Sequence, residues 1–276
     1  MQSAALTALV ERKGQCFLLP SLRPFVFAAA AFATIIAAPA YGAELTQVIE
    51  KVRPSVVGVA TFQKTRSPSI SFRGTGFAVG DGSFILTNSH VIPPVLDAAG
   101  KEILVVLVGR GPDAQMREAE KVAQDLAHDL ALLKINGAPL TALSIGDSAQ
   151  VREGQEYAFT GFPIGTVLGL YPVTHRGMIS ALTPVAIPSR NSGQLDEKAI
   201  ARLRSPFEVF QLDATAYPGN SGSPLYRTDT GVVVGIVNMV FVKSTKEHVL
   251  AEPSGISYAI PSRYLRDLLR EKGIGN

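Results

Sequence analysis

The stretch Ala216-Tyr217-Pro218-Gly219-Asn220-Ser221-Gly222-Ser223-Pro224 surrounds one serine with glycines, other small residues and two prolines. A nucleophilic serine needs such surroundings, because its oxygen must stand clear of the backbone and nearby N–H groups must converge to hold an oxyanion. Glycine permits the bends that this requires, and proline stiffens both ends. A surface turn has the same composition, since Gly, Asn, Ser and Pro are the commonest turn residues. The stretch therefore indicates a catalytic site, rather than a surface turn, only if a base and an orienting acid occur upstream.

Length and composition limit the classes of protein to which this chain can belong. The chain has 276 residues, of which 46% are hydrophobic and 18% charged, enough for one large or two modest cores. Its 25 glycines and 18 prolines indicate frequent turns, which suit short strands better than long helices. The single cysteine, Cys16, excludes an intramolecular disulfide and a cysteine-rich metal site.

Residues 1–43 are typical of a targeting segment. Positive residues precede an apolar run from Phe25 to Ala37, and the small-x-small sequence Ala38-Pro39-Ala40 follows it. The run is short for a bilayer span, so we expect a cleaved signal peptide and a periplasmic or secreted protein without stable membrane insertion. The alternative is an uncleaved membrane anchor formed by residues 25–40.

The overall charge gives no support for a nucleic acid partner. Residues 1–43 hold three of the 26 basic residues and one of the 23 acidic residues. The remainder has 23 basic and 22 acidic residues, a net charge of +1. Such a balance indicates neither nucleic acid nor an acidic surface as partner.

Strand-like runs fill both halves of the chain and predict an all-β protein; most are apolar, and Arg117–Gln124 alternates only weakly. In residues 44–145 they are Val56–Ala60, Gly74–Val79, Phe84–Thr87, Ile103–Val108, Arg117–Gln124 and Leu130–Ile135. In residues 146–276 they are Tyr157–Gly161, Tyr171–Thr174, Gly177–Leu182, Phe207–Leu212, Gly231–Met239 and Ile256–Ala259. A helix is predicted at residues 44–53 and another after Ser262, which we expect to cap it. Two barrel-like halves are the simplest architecture.

A candidate base and acid do occur upstream of Ser221. His90 follows a predicted strand, and Asp129 opens an apolar one. A histidine has the pKa range suited to taking and returning a proton near neutrality. The order His90, Asp129, Ser221 puts the first two residues in one half and the serine in the other. A cleft between the halves would hold all three.

Other residues could fill the same roles. His128 neighbours Asp129 and should point the opposite way in an extended segment. His175 and His248 are predicted to be surface residues, in a connection between strands and in a polar loop. Asp125 lacks the apolar strand that follows Asp129.

Several ordered motifs resemble those of trypsin-like serine proteases of the HtrA/Deg family over residues 45–270. The motifs are Gly74-Thr75-Gly76-Phe77, Thr87-Asn88-Ser89-His90-Val91, Asp129–Ile135, Gly146-Asp147-Ser148, Gly161–Gly165, Gly177–Leu182, Gly219-Asn220-Ser221-Gly222 and Gly255–Ser262. The resemblance implies two six-stranded antiparallel β-barrels of chymotrypsin/trypsin type, with the active site in the cleft between them and a C-terminal helix.

The resemblance also implies the chemistry. Ser221 would be the nucleophile, His90 the general base and Asp129 its orienting acid. The oxyanion hole would lie at Gly219, Asn220 and Ser221, formed by the N–H groups of Gly219 and Ser221. The substrates would be polypeptides, and no metal or organic cofactor is implied. Oligomerisation stays open.

Three features depart from the family pattern. Ser223 stands where the family usually has glycine, and the connection Pro188–Pro206 is longer than usual. We expect that connection to be an exposed loop that gates the cleft. The chain also ends after one protease domain, so we expect no peptide-binding PDZ domain.

The predicted specificity pocket is formed by Thr215, Asn238, Met239 and Val240. Thr215 stands where enzymes that cut after Arg or Lys place an aspartate, and Val240 should narrow the entrance. A buried arginine without a carboxylate partner would be costly, whereas a small aliphatic side chain gains free energy on burial. These residues predict cleavage after Val, Ala, Ile or similar small uncharged residues.

Two other functions fit parts of the sequence. A protease fold with a misassembled oxyanion loop would be a binding or chaperone-like module. Glutamyl endopeptidases share the sequence GNSGSP, but they typically carry a histidine in the next strand, and Gly235–Met239 has none.

Overall fold

The computed structural model describes residues 44–163, 169–184, 207–238 and 255–275. Strands in these residues form two closed six-stranded antiparallel barrels, followed by a C-terminal helix. The predicted fold class is therefore confirmed. The predicted signal peptide, the 188–206 connection, Met239, Val240 and His248 lie outside the described residues.

The first barrel follows a short helix, α1 (Leu45–Val52), and a 3₁₀ turn (Arg53–Ser55). Its strands are β1 (Val56–Phe62), β2 (Ile70–Val79), β3 (Phe84–Asn88), β4 (Ile103–Val108), β5 (Gln115–Asp125) and β6 (Leu130–Ile135). They close in the order β1-β2-β3-β6-β5-β4. Buried Val, Ile and Leu side chains fill the interior, as expected of β-branched and aliphatic residues on a pleated surface.

The second barrel closes in the order β10-β11-β12-β9-β8-β7. Its strands are β7 (Glu156–Gly161), β8 (Val173–Pro184), β9 (Glu208–Asp213), β10 (Pro224–Arg227), β11 (Val233–Asn238) and β12 (Ile256–Pro261).

Two details of the second barrel differ from the strand predictions. The runs at 171–174 and 177–182 belong to one strand, because Gly177 does not break β8 but lets it approach β9 closely. A Cβ at Gly177 would lie 2.5 Å from Ala214 Cβ. The predictions also missed β10, which has four residues and begins with Pro224. Proline is tolerated at the first residue of a strand, and so short a strand has no readable alternation.

The last helix, α2 (Ser262–Glu271), packs Leu265, Leu268 and Leu269 into the core. The expectation that Ser262 caps this helix is wrong. Pro261 occupies the N-cap position, and the Ser262 hydroxyl instead donates to the Gly146 carbonyl at 2.8 Å. The serine therefore ties the helix to the segment that joins the barrels.

The two barrels share one apolar core, which includes Phe77 and Leu86 of the first and Phe162 and Ile236 of the second. Each fully buried side chain of this size contributes about 1.5–3 kcal/mol relative to an exposed one. This core holds the ends of β3, β6 and β11 in fixed relation, and the candidate site is built on those ends. No helix in the described part of the chain has the length and apolarity needed to cross a bilayer.

Candidate active site

The pairing of β3 with β6 brings His90 and Asp129 together. Asn88, the last residue of β3, lies opposite Leu130, the first residue of β6. The 3₁₀ turn that carries His90 therefore begins beside Asp129. The His90 backbone N–H donates to Asp129 Oδ1 at 2.9 Å, and His90 Nδ1 lies 2.6 Å from Asp129 Oδ2. Both carboxylate oxygens thus contact one histidine.

Asp129 has a left-handed backbone conformation, with φ +55. Such a conformation is uncommon outside glycine, although Asp and Asn tolerate it best. Two hydrogen bonds hold it, because the Asp129 carbonyl accepts from Ser89 N at 2.9 Å and from Asn88 Nδ2 at 3.1 Å. The segment is not extended at this point, and the carboxylate is directed at His90.

The carboxylate has a third partner from the second barrel. The side chain of Asn238, at the end of β11 and fully buried, donates from Nδ2 to Asp129 Oδ2 at 2.7 Å. The sequence placed Asn238 in the specificity pocket, but its amide faces the acid of the candidate site. Sequence reasoning missed this contact, because 109 residues separate the two partners.

The contact between Asp129 and Nδ1 selects the tautomer of the neutral imidazole. A carboxylate at Nδ1 keeps the ring proton on that nitrogen, which leaves Nε2 as the basic atom of the neutral ring. The His90 side chain is 31% exposed, whereas the Asp129 side chain is 10% exposed. The buried acid can therefore hold a ring whose other edge reaches solvent.

Residues 217–220 form the turn that leads into Ser221. Asn220 N donates to the Tyr217 carbonyl at 2.9 Å, and Gly219 has φ +101. Proline at the second position and a glycine with positive φ at the third specify a type II β-turn. The Asn220 N–H is thus committed to this turn, whereas the predicted oxyanion donors are the N–H groups of Gly219 and Ser221.

Backbone contacts bring this turn to the His90–Asp129 pair. Gly222 N donates to the Val237 carbonyl at 3.0 Å, and the next residue, Asn238, binds Asp129. On the other side, a Cβ on Gly74 would lie 2.8 Å from the Val91 side chain and 2.9 Å from the Ser221 carbonyl. Gly74 therefore lies between Val91, the residue after His90, and Ser221, and its backbone is in close contact with both.

A second histidine–carboxylate pair forms close by in sequence. His128 Nδ1 lies 2.6 Å from Asp125 Oδ2, and the ring stacks on Tyr264 with centroids 4.0 Å apart. Burial opposes the charge of Asp125, but hydrogen bonds from His128 and its neighbours hold the pKa of this carboxyl below its ordinary value. This pair joins the Asp129 loop to α2.

His175 is not the surface residue that the sequence predicted. Its ring stacks on Phe159 with centroids 4.9 Å apart, and burial lowers its pKa. The structure therefore favours the neutral form of His175, which is half-buried against Phe159 of β7.

Of the predicted pocket residues, Thr215 is half-buried, and the nearby Asp213 is exposed at the end of β9. Within the described ranges, no three His, Cys, Asp or Glu residues lie close enough together to hold a metal ion. The chemistry that this arrangement can support is proton transfer through His90 next to a serine in a tight turn.

The comparisons with known proteins agree with this geometry. Residues 74–236 match the profile of the trypsin-like peptidase domain family. The chain is 33% identical to a "Probable periplasmic serine endoprotease DegP-like" of Halomonas elongata over 204 residues, 72% of this chain and 35% of that protein. It is 30% identical to "Serine protease HTRA1B" of Danio rerio over 238 residues, 82% of this chain and 41% of that protein.

Among solved structures, a variant of the HtrA-type protease AlgW with tripeptide superposes with a TM-score of 0.58 at 25% identity. The match covers 82% of this chain and 62% of that one. The chain spans between about a third and a half of the length of the curated relatives it matches.

Proposed function

The chain belongs to the trypsin-like peptidase family, and on that premise we propose that it is a serine endopeptidase of HtrA type. The observation that carries the proposal is the 2.6 Å contact between His90 Nδ1 and Asp129 Oδ2, beside the turn that contains Ser221. A base oriented by a buried acid, next to a serine between glycines, is the arrangement that acyl transfer requires.

The reaction proceeds through an acyl-enzyme. Ser221 Oγ attacks the peptide carbonyl, and His90 Nε2 takes the serine proton. The C–N bond then breaks, and His90 gives the proton to the leaving amine. Water, activated by His90, hydrolyses the ester and restores Ser221. Asp129 keeps the imidazole in the required tautomer and stabilises its charged form.

The oxyanion of each tetrahedral intermediate is held by the N–H groups of Gly219 and Ser221. The type II turn supports this role, because it sets the direction of the peptide unit that contains the Gly219 N–H. Donors fixed in advance stabilise the developing charge without reorganising during the reaction.

The test is the Ser221→Ala variant, with Ser223→Ala as its matched control. Loss of Ser221 should lower turnover of unfolded casein by about a millionfold. Ser223 is two residues away and also buried. The proposed mechanism assigns it no role. A fluorophosphonate probe should label the wild type and Ser223→Ala but not Ser221→Ala. Cleavage by Ser221→Ala at the wild-type rate would refute the proposal, and a wild type that neither cleaves nor labels would favour a binding module.

We further propose cleavage after small aliphatic residues such as Val, Ala or Ile. Thr215 supports this preference, because it supplies no carboxylate for a basic side chain at the expected position. Asp213 is exposed. Cleavage of a peptide library should be dominated by these residues. Dominant cleavage after Arg, Lys, Glu or a large aromatic would refute this pocket and leave the chemistry of Ser221 untouched.

Residues 1–43 are proposed to be a signal peptide that directs the protein to the periplasm or outside the cell. The support is the apolar run with its small-x-small site. The mature protein should begin between Tyr41 and Glu44, as measured by N-terminal sequencing. Recovery of Met1 on membrane-bound protein would favour the anchor instead.

The connection Pro188–Pro206 is proposed to gate the cleft. Its support is a polar, charged sequence bracketed by prolines. Shortening it to a tight turn should change the rate of peptide cleavage and leave the melting temperature nearly unchanged. A variant that fails to fold would show that the segment has a structural role.

A further inference from the structure

Thr75 lies in β2 of the first barrel, yet three of its hydrogen bonds run to the second barrel. Its backbone N–H donates to the Ser221 carbonyl at 2.8 Å. Its hydroxyl donates to the Gly219 carbonyl at 2.7 Å and accepts from Phe162 N at 3.0 Å. Thr75 is fully buried, so no solvent competes for these bonds. One residue of β2 thus contacts the turn before Ser221, the carbonyl of Ser221 and the end of β7.

The acceptors of Thr75 belong to the residues whose N–H groups form the proposed oxyanion hole. Since a peptide unit is planar, holding the Gly219 carbonyl also holds the Asn220 N–H. That N–H is itself bonded to the Tyr217 carbonyl. The peptide unit after Gly219 is therefore held from both ends. The Gly219 N–H belongs to the preceding peptide unit, which is joined to this one at the Gly219 Cα. Because glycine rotates more freely than other residues, fixing the unit after Gly219 limits the orientations open to the unit before it.

The surroundings of the Thr75 hydroxyl leave little room to adjust. A Cβ at Gly161 would lie 2.9 Å from Thr75 Oγ1, and one at Gly222 would lie 1.9 Å from the Thr75 carbonyl. Thr75 is itself fixed, because its carbonyl accepts from the Thr87 hydroxyl at 2.7 Å. A rigid strand therefore presents the hydroxyl to the turn at one position.

We propose that Thr75 is a positioning residue for the oxyanion hole. Its hydroxyl keeps the turn in the type II form, in which the N–H groups of Gly219 and Ser221 converge. This inference rests on the proposed endopeptidase function. The backbone bond from Thr75 to Ser221 does not depend on the side chain. A change of side chain should therefore loosen the oxyanion hole while the nucleophile stays anchored.

The decisive variant is Thr75→Val, which keeps the shape of threonine and removes the hydroxyl. We expect kcat on a peptide substrate to fall about 10- to 1,000-fold, the range seen when an oxyanion donor is lost. KM should stay within about twofold, because ground-state binding does not use the hole. Affinity for a peptide boronic acid, whose tetrahedral adduct places an oxygen in the hole, should fall by the same factor as kcat/KM.

Two controls separate positioning from general damage. Thr75→Ser keeps the hydroxyl and should restore kcat to within a few-fold of the wild type. Ser223→Ala removes another buried hydroxyl near Gly161, one whose oxygen has no hydrogen-bond partner in the described residues. It should retain wild-type kcat and boronate affinity. All values are taken per active site and compared with melting temperatures, so that partial unfolding cannot imitate the effect.

The possible outcomes are distinct. Thr75→Val with wild-type kcat and boronate affinity would overturn the inference, as would an equal loss in Ser223→Ala. If Thr75→Val does not fold, Thr75→Cys replaces it. The S–H group of cysteine is a weak donor, so this variant should have an intermediate kcat and boronate affinity. Wild-type values for Thr75→Cys would overturn the inference. Absence of Ser221-dependent cleavage by the wild type would instead refute the proposed function itself.

Discussion

Asn238 offers a quantitative test of how the second barrel controls the His90–Asp129 pair. Its Nδ2 lies 2.7 Å from Asp129 Oδ2, the same oxygen that His90 Nδ1 approaches to 2.6 Å. A hydrogen bond to a charged group contributes about 1.5–3 kcal/mol. If all of this is lost from the transition state in Asn238→Ala, kcat/KM should fall between about 10- and 150-fold. The expected cause is a carboxylate that no longer holds the imidazole at one angle.

The variant Asn238→Asp sharpens the test. It keeps the size of the side chain but replaces the donor with a second carboxylate close to Asp129. Two carboxylates at this distance cannot both ionise easily, so they should share one proton. The pKa for loss of that shared proton should be raised. The acid limb of the pH–rate profile should therefore move to higher pH in Asn238→Asp, and by less in Asn238→Ala, which loses a donor to the carboxylate but gains no second carboxylate.

The assay is kcat/KM on a peptide substrate, measured from about pH 5 to about pH 9 with melting temperatures as the control for folding. Wild-type kcat/KM in Asn238→Ala would refute the reasoning. So would an Asn238→Asp profile that coincides with that of the wild type.

Two further predictions concern stability. Gly222→Ala should destabilise the fold by at least about 2 kcal/mol in urea unfolding, since φ is +90 and the new Cβ would lie 1.9 Å from the Thr75 carbonyl; unchanged stability would contradict this geometry. Hydrogen bonds from Thr61, the Asp97 backbone and Arg66 lower the pKa of Glu102 from 4.5 to about 2. Because the folded-state pKa is depressed, the stabilisation is complete above pH 4.5 and is lost as the pH falls towards 2. Glu102→Gln should therefore lower the melting temperature at neutral pH, with a difference that shrinks through this window; a constant difference would argue against the linkage.

The residues that perform the proposed chemistry could be found from the sequence because their requirements are local. Ser221 needs small neighbours and backbone bends, and Gly219 and Gly222 supply both within two residues of it. His90 and Asp129 stand at strand ends, and apolar runs show where strands end. The same runs indicated two barrels, since apolar periodicity reports burial along each strand.

The tertiary structure alone decided which residues support the site. Asn238 meets Asp129 across 109 residues, and the Thr75 hydroxyl meets Gly219 across 144. Neither contact can be recognised from the amino-acid composition around the residues that make it. Asn238 ends an apolar strand, and Thr75 occupies an ordinary strand position between glycines. Which side chains meet depends on strand register and on how the two barrels pack together, and periodicity along one strand carries no information about either.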